Sequence, residues 1–168
     1  MSMKCDLKIA KLRPCAILPT KEDGNAGFDL YACLEEENTT GWTLMPHQTT
    51  IIPTGLIYSC DNDWQLVLKE RGSTAFISMK IGAGVGDSNY RGELKVFLYN
   101  GLDKPIVITP TGDKIKEEFD VIYYPISKAI AQFLILPVPK TTIIESSIDD
   151  ILNTPSSRGN GMLGSSGK

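Results

Sequence analysis

Short apolar runs, not helical stripes, set the pattern along this chain. They fall at Lys8–Leu12, Thr49–Ile52, Leu56–Ser59, Gln65–Lys69, Leu94–Tyr99, Ile106–Thr109, Val121–Tyr124 and Phe133–Val138. Proline or glycine punctuates the first half closely, at Pro14, Pro19, Gly24, Gly27, Gly41, Pro46, Pro53, Gly55, Gly72 and Gly82. Brief apolar runs bounded by turn formers predict strands, and many such strands predict an all-β sandwich or closed barrel. In Leu94–Tyr99 the alternation is imperfect, as expected of a strand partly covered on both faces. Helical signals are weak. Thr74–Lys80 reads as a short turn after Ser73, diluted by β-branched and aromatic residues. The charged stretch Asp113–Asp120 reads as a loop or hairpin tip, most simply a solvated insertion.

The pattern changes near Ile144. Glu145–Leu152 is polar with interspersed isoleucine, consistent with an amphipathic turn. The last stretch, Asn153–Lys168, is too rich in glycine and serine to pack as a strand or helix. The expected organisation is a β-rich domain over residues 1–152 and a flexible arm over residues 153–168. A plain linker is the alternative for the arm, although Arg158 inside a glycine framework is also a means of wrapping a phosphate.

Length and charge narrow the classes. The 168 residues make one domain's worth of chain. Lys plus Arg is 17 against 20 Asp plus Glu, a formal net charge of −3. That balance argues against a sequence-independent nucleic-acid binder, so any phosphate site must be local. Cys5, Cys15, Cys33 and Cys60 lack metal-ligand spacing, and the single His47 cannot complete a zinc set. They read as reduced thiols of a cytoplasmic protein. Met1–Asp6 leads into no apolar signal segment, and no run approaches the roughly 18 residues of a membrane span.

Four segments could carry chemistry. Gly82–Leu94 sets an Asp-Ser-Asn turn among glycines and reads as a β-hairpin. Its main chain could meet a flat base edge, Tyr90 could pack on a sugar, and Asp87 could act as general base on a bound water. A tight hairpin with a capping Asp is the plain alternative. Arg71, Gly72 and Ser73 follow a strand and form a candidate anion site, or else simply a helix capped by Ser73. Asp29, inside an apolar run, needs a partner. A hydrated Mg²⁺ is one, and structural hydrogen bonding to backbone is another. Gln132 opens an apolar run and could donate to a phosphate oxygen.

Singly these signals are weak, but their order is specific. Asn25–Ala32, Arg71–Ala75, Gly84–Glu93, Ala129–Phe133 and Arg158–Gly167 resemble, in sequence, the five motifs of the trimeric dUTP diphosphatases. The resemblance spans about Ala26 to Gly167. It implies a distorted jelly-roll or β-clip fold, a homotrimer, and active sites built between subunits and closed by the C-terminal arm. It implies Mg²⁺-dependent hydrolysis of dUTP to dUMP and pyrophosphate. Asp87 matches the carboxylate that activates water, and Tyr90 the ring on the deoxyribose. The main chain from Gly84 through Val85 to Leu94 would read uracil. Asp29 would hold Mg²⁺ through water. Arg71, Gly72, Ser73 and Gln132 fall on phosphate-contacting positions. Arg158, Leu163, Gly164, Ser165 and Ser166 match the closing arm.

The chain departs from the pattern in places. Arg71-Gly72-Ser73 stands where Arg-Ser-Gly is usual, displacing the hydroxyl by one position. Gly86 replaces the usual Ile or Val before the base and loosens the backbone there. Leu163 replaces the aromatic that stacks on uracil. Gly112–Ser127 is longer than usual, with no function attached to it. Two rivals remain open. One is a dCTP deaminase of the same fold, with Glu93 as the acid/base group. The other is a dUTP-binding protein acting through a regulatory partner protein.

Overall fold

A computed structural model describes residues 4–35, 38, 40–157 and 159. Among these residues thirteen strands and two short helices make an all-β architecture, as the run pattern predicts. Every predicted run became a strand within a few residues: β1 (Lys8–Lys11), β4 (Thr49–Pro53), β5 (Leu56–Ser59), β6 (Trp64–Lys69), β9 (Lys95–Asn100), β10 (Ile106–Thr109), β12 (Val121–Pro125) and β13 (Ala131–Pro137). Five further strands are only two or three residues long: β2 (Phe28–Leu30), β3 (Trp42–Leu44), β7 (Met79–Ile81), β8 (Val85–Gly86) and β11 (Lys116–Glu118).

The strands form four small sheets: β1–β5, β11–β12–β10–β3, β2–β13–β6–β8 and β4–β9–β7. Among the described residues only β10 and β12 run parallel. Around one core pack Leu30, Leu44, Ile52, Leu66, Leu98, Ile106, Ile108, Tyr124 and Phe133, all fully buried. In β9, Val96, Leu98 and Asn100 point inward with intervening residues half-exposed or exposed, a cleaner alternation than the run itself indicated. The buried Asn100 costs little, because its amide donates to the Leu44 and Lys104 carbonyls and accepts from Leu102 N–H.

The charged stretch is a hairpin tip. β11 and β12 pair antiparallel, and Phe119 and Asp120 take left-handed φ values of 50° and 61° between them. Two consecutive left-handed residues are the signature of a tight type I′ connection. Helix α2 (Ile148–Asn153) lies in the segment read as an amphipathic turn, and Ser147 caps it by accepting from Asp150 N–H.

The cysteines differ from expectation. Cys15 and Cys33 form a disulfide, with Cα atoms 5.6 Å apart, whereas Cys5 and Cys60 are free thiols. Sequence spacing carries no pairing information. The fold supplies it by bringing the segments after β1 and after β2 to the same side of Gly55. Among the described residues no helix is long and apolar enough to cross a membrane.

Candidate active site

Two groups of the expected residues are assembled, each in its own cavity. The first rests on sheet register. On β2, β13 and β6, Asp29 lies opposite Gln132, which lies opposite Lys69. The chain then leaves β6 into helix α1 (Gly72–Phe76), which sets Arg71 at its N-cap. Thr74 closes that cap, accepting from Arg71 N–H and donating back to Arg71 C=O. Ser73 is therefore not the cap. It sits exposed within the first turn and is left for other work.

Arg71 Nε donates to Asp29 Oδ1 at 2.8 Å, so the partner that Asp29 needs is a side chain 42 positions away, at the start of helix α1. Gln132 Nε2 donates to Glu70 C=O at 2.7 Å, which fixes the amide plane. Glu70 in turn accepts from Ile81 N–H, a bond that holds its carboxyl below the usual range. Asp29, Arg71, Gly72, Ser73 and Gln132 all line one open cavity of about 820 Å³, so the shifted hydroxyl of Ser73 still reaches it. Burial pushes the Tyr124 phenol up, and Ser73 and Arg71 lie close enough to moderate that shift. No sequence signal marked Tyr124.

The oxygen donors of this cavity suit a hard cation. Mg²⁺ keeps most of its water and commonly takes one or two carboxylates. Among the described residues no three His, Cys, Asp or Glu side chains converge, so an all-protein cage is absent there. Asp29 fits an ion held through its water shell.

The second group surrounds Asp87. Asp87 C=O accepts from Tyr90 N–H at 3.1 Å, closing a tight turn over 87–90. Arg91 braces that turn by donating to the Ser88 and Tyr90 carbonyls. The segment is not a two-stranded hairpin, as its sequence indicated. β8 pairs with β6, whereas β9 pairs with β4 and β7, so the two arms diverge into different sheets. β8 and β9 do not pair because both edges of β9 are already taken, by β4 and β7.

Asp87 and Tyr90 are exposed, and both line a cavity of about 210 Å³ walled by Tyr58, Leu68, Val85, Gly86 and Phe97. Gly92 lies directly under the Tyr90 ring, where a Cβ would come within 2.2–2.9 Å of ring and hydroxyl atoms. Leu94 contributes a side chain to the cavity. Its N–H already donates to Leu56 C=O, and its own carbonyl accepts from the Thr54 hydroxyl. Gly84 C=O likewise accepts from Leu68 N–H at 2.7 Å. Val85 pairs with Val67 and is largely exposed.

Glu93 also lines this cavity, but its carboxylate is engaged by other groups. Its carboxylate accepts from both terminal nitrogens of Arg13 and from Gly55 N–H. Burial raises its pKa, but the Arg13 and Gly55 donors outweigh burial and hold it below the usual range. A carboxylate so engaged cannot readily pick up a proton, which removes the group that a deaminase reading requires. Arg158, Leu163, Gly164, Ser165 and Ser166 lie outside the described residues.

A β-built chain with an aspartate and tyrosine on a glycine-rich turn, and an Arg–Asp–Gln cluster in a second cavity, has the features of a nucleotide hydrolase. The dUTPase family model matches residues 13–116, and the chain belongs to that family. It is 32% identical over 172 aligned positions to the deoxyuridine 5'-triphosphate nucleotidohydrolase of Neisseria meningitidis, covering 99% of each chain. In fold it is similar to a Staphylococcus bacteriophage 80alpha dUTPase solved with dUpNHpp, at a TM-score of 0.69 and 22% identity over 97% of this chain and 99% of the other. It is also similar to the dUTPase of phage phi11 of S. aureus, whose structure describes coordination of a structural Mg(II) ion. That match has a TM-score of 0.63 and 19% identity, covering 85% of this chain and 99% of the other. These matches place the chain in the distorted jelly-roll fold expected for it.

Proposed function

We propose that this chain hydrolyses dUTP to dUMP and pyrophosphate, keeping uracil out of DNA and supplying dUMP for thymidylate synthesis. The observation that carries the reading is the turn over 87–90. It presents the Asp87 carboxylate and the Tyr90 ring together at the mouth of a narrow cavity. Asp87 takes the proton of the water that attacks the α-phosphorus. Tyr90, rigid over Gly92, packs on the sugar and leaves no room for a 2′-hydroxyl. Arg71, Ser73 and Gln132 receive phosphate oxygens, and Arg71 offsets the charge that builds on the departing pyrophosphate. Asp29 would hold Mg²⁺ through water, and the ion, when bound, neutralises and orders the triphosphate.

The protein is further proposed to work as a homotrimer with shared sites. The two cavities have no lining residue in common, which favours a site completed by a second copy. Ile143, Ile144, Ile148, Ile151 and Leu152 are 64–96% exposed on one chain, an apolar stretch that a neighbouring copy would cover. The arm from Arg158 onward would close over the nucleotide. A cytoplasmic location is proposed as well, although a disulfide such as Cys15–Cys33 is rare in that compartment, and a regulatory partner protein is a secondary role with the exposed Phe119 at the β11–β12 tip as its contact. The committed Glu93 disfavours dCTP deamination.

The test is a panel of dUTP, dTTP, UTP and dCTP, with and without Mg²⁺, reading pyrophosphate and ammonia. Pyrophosphate from dUTP alone, only with Mg²⁺, is expected. Asp87→Asn should lower kcat by about 10²–10⁴-fold while nucleotide binding persists. Ammonia from dCTP, or wild-type kcat in the variant, would overturn the reading.

A further inference from the structure

Gly86 stands where the dUTPase pattern has a branched apolar residue, and a bare glycine before a general base should leave that base loosely held. The fold supplies a substitute. Tyr58, on β5, is 3% exposed, and its hydroxyl lies where a side chain at position 86 would begin. A Cβ built on Gly86 would be 2.8 Å from the Tyr58 hydroxyl and 3.2 Å from Leu66 Cβ. The missing side chain has been replaced by one reaching across from another sheet.

The same hydroxyl donates to Asp87 C=O at 2.8 Å. That carbonyl also accepts from Tyr90 N–H at 3.1 Å, so both of its acceptor directions are used, one from inside the core and one from within the turn. A carbonyl pinned from two sides fixes the peptide plane after Asp87 and, through it, the direction of the Asp87 side chain. Burial, with the Cys60 and Asp87 charges adding, pushes the Tyr58 phenol up to about 12. The hydroxyl therefore stays protonated, and remains a donor, throughout the neutral range.

We infer that Tyr58 is a positioning residue for the reaction: it fills the space vacated at Gly86 and holds the main chain of Asp87 so that the carboxylate meets the attacking water. The inference rests on the dUTP hydrolysis proposed above. Tyr58 borders the Asp87 cavity, but its hydroxyl is spent on the Asp87 carbonyl, and it acts through Asp87.

The pair is tested by moving the bulk back. Tyr58→Phe keeps the ring and removes only the donor. It should lower kcat for dUTP about 10-fold, with KM changed less than about twofold, since misplacing a catalytic group by a fraction of an ångström costs on this scale. Exchange of the Tyr90 amide, which shares the Asp87 carbonyl, should quicken in the same variant, and this readout needs no turnover. Tyr58→Ile alone should lose more, because a void opens beside Gly86. The double variant Tyr58→Ile with Gly86→Ile should recover kcat to about the level of Tyr58→Phe, because the void is refilled while the donor stays absent. An unchanged kcat and unchanged Tyr90 exchange in Tyr58→Phe would overturn the inference, as would a double variant no better than Tyr58→Ile in a chain that still melts cooperatively. Absence of dUTP hydrolysis in the parent chain would instead strike the proposed function, leaving the exchange result to judge the Tyr58 bond alone.

Discussion

Replacing Glu93 by glutamine separates a structural carboxylate from a catalytic one. In the folded chain the Glu93 side chain, 10% exposed, accepts from two guanidinium nitrogens of Arg13 and from Gly55 N–H. Glutamine keeps the shape and one acceptor oxygen, which can still serve Gly55. Its NH₂ group faces Arg13 and cannot accept. Hydrogen bonds to a charged partner contribute about 1.5–3 kcal/mol each. Arg13 retains a second anion, since its Nε donates to Glu35, so the loss falls near the lower bound for one bond plus a residue of the other. The expected cost is about 2 kcal/mol. For a chain of this size that lowers Tm by about 4–8 °C. Calorimetry at pH 7 reads it, alongside dUTP turnover, which should stay within about threefold because Glu93 is not the base. The sign with pH is fixed by the depressed carboxyl: its stabilisation is present above about pH 4.3 and is lost as pH falls through the folded value. The gap in Tm between parent and Glu93→Gln should therefore close in acid. An unshifted Tm together with a hundredfold loss of turnover would refute this reasoning and return Glu93 to the chemistry.

Two further outcomes are expected. The Cys15–Cys33 disulfide closes a separation of 18 residues, worth about 3 kcal/mol by loop closure. Reductant should lower Tm by about 6–12 °C, and a Tm indifferent to reductant would show that the bridge does not stabilise the fold. Ending the chain after Ser157 should leave Tm unchanged yet cut kcat/KM for dUTP by at least about 10²-fold, because the arm would clamp charge and contribute no core. Full activity in the shortened chain would remove the arm from the site.

The sequence disclosed the long strands and little of how they meet. Leu56–Ser59 or Leu94–Tyr99 could be read because each run buries alternate residues and is long enough to show it. Phe28–Leu30 and Val85–Gly86 could not, since two or three residues have no period. Lys116–Glu118 is exposed throughout and is a strand only because Val121–Pro125 pairs with it. The motif residues were legible as types, but their partners were not. Arg71 reaches Asp29 across 42 positions, Glu93 is held by Arg13 across 80, and Tyr58 reaches Asp87 across 29. Such contacts depend on sheet order, which composition and spacing do not encode. Gly86 looked like a weakness for the same reason, because the side chain that compensates for it lies on another strand.

The divergence of the two arms around Asp87 makes that turn a rivet between layers. One arm is woven into the layer of β6 and β13, the other into the layer of β4 and β7. A nucleotide seated there would tie both layers at once, so its arrival should stiffen amides on each side, including ones remote from any bound atom. It also means that drift in the packing of either layer can retune turnover without altering a single contact to the ligand.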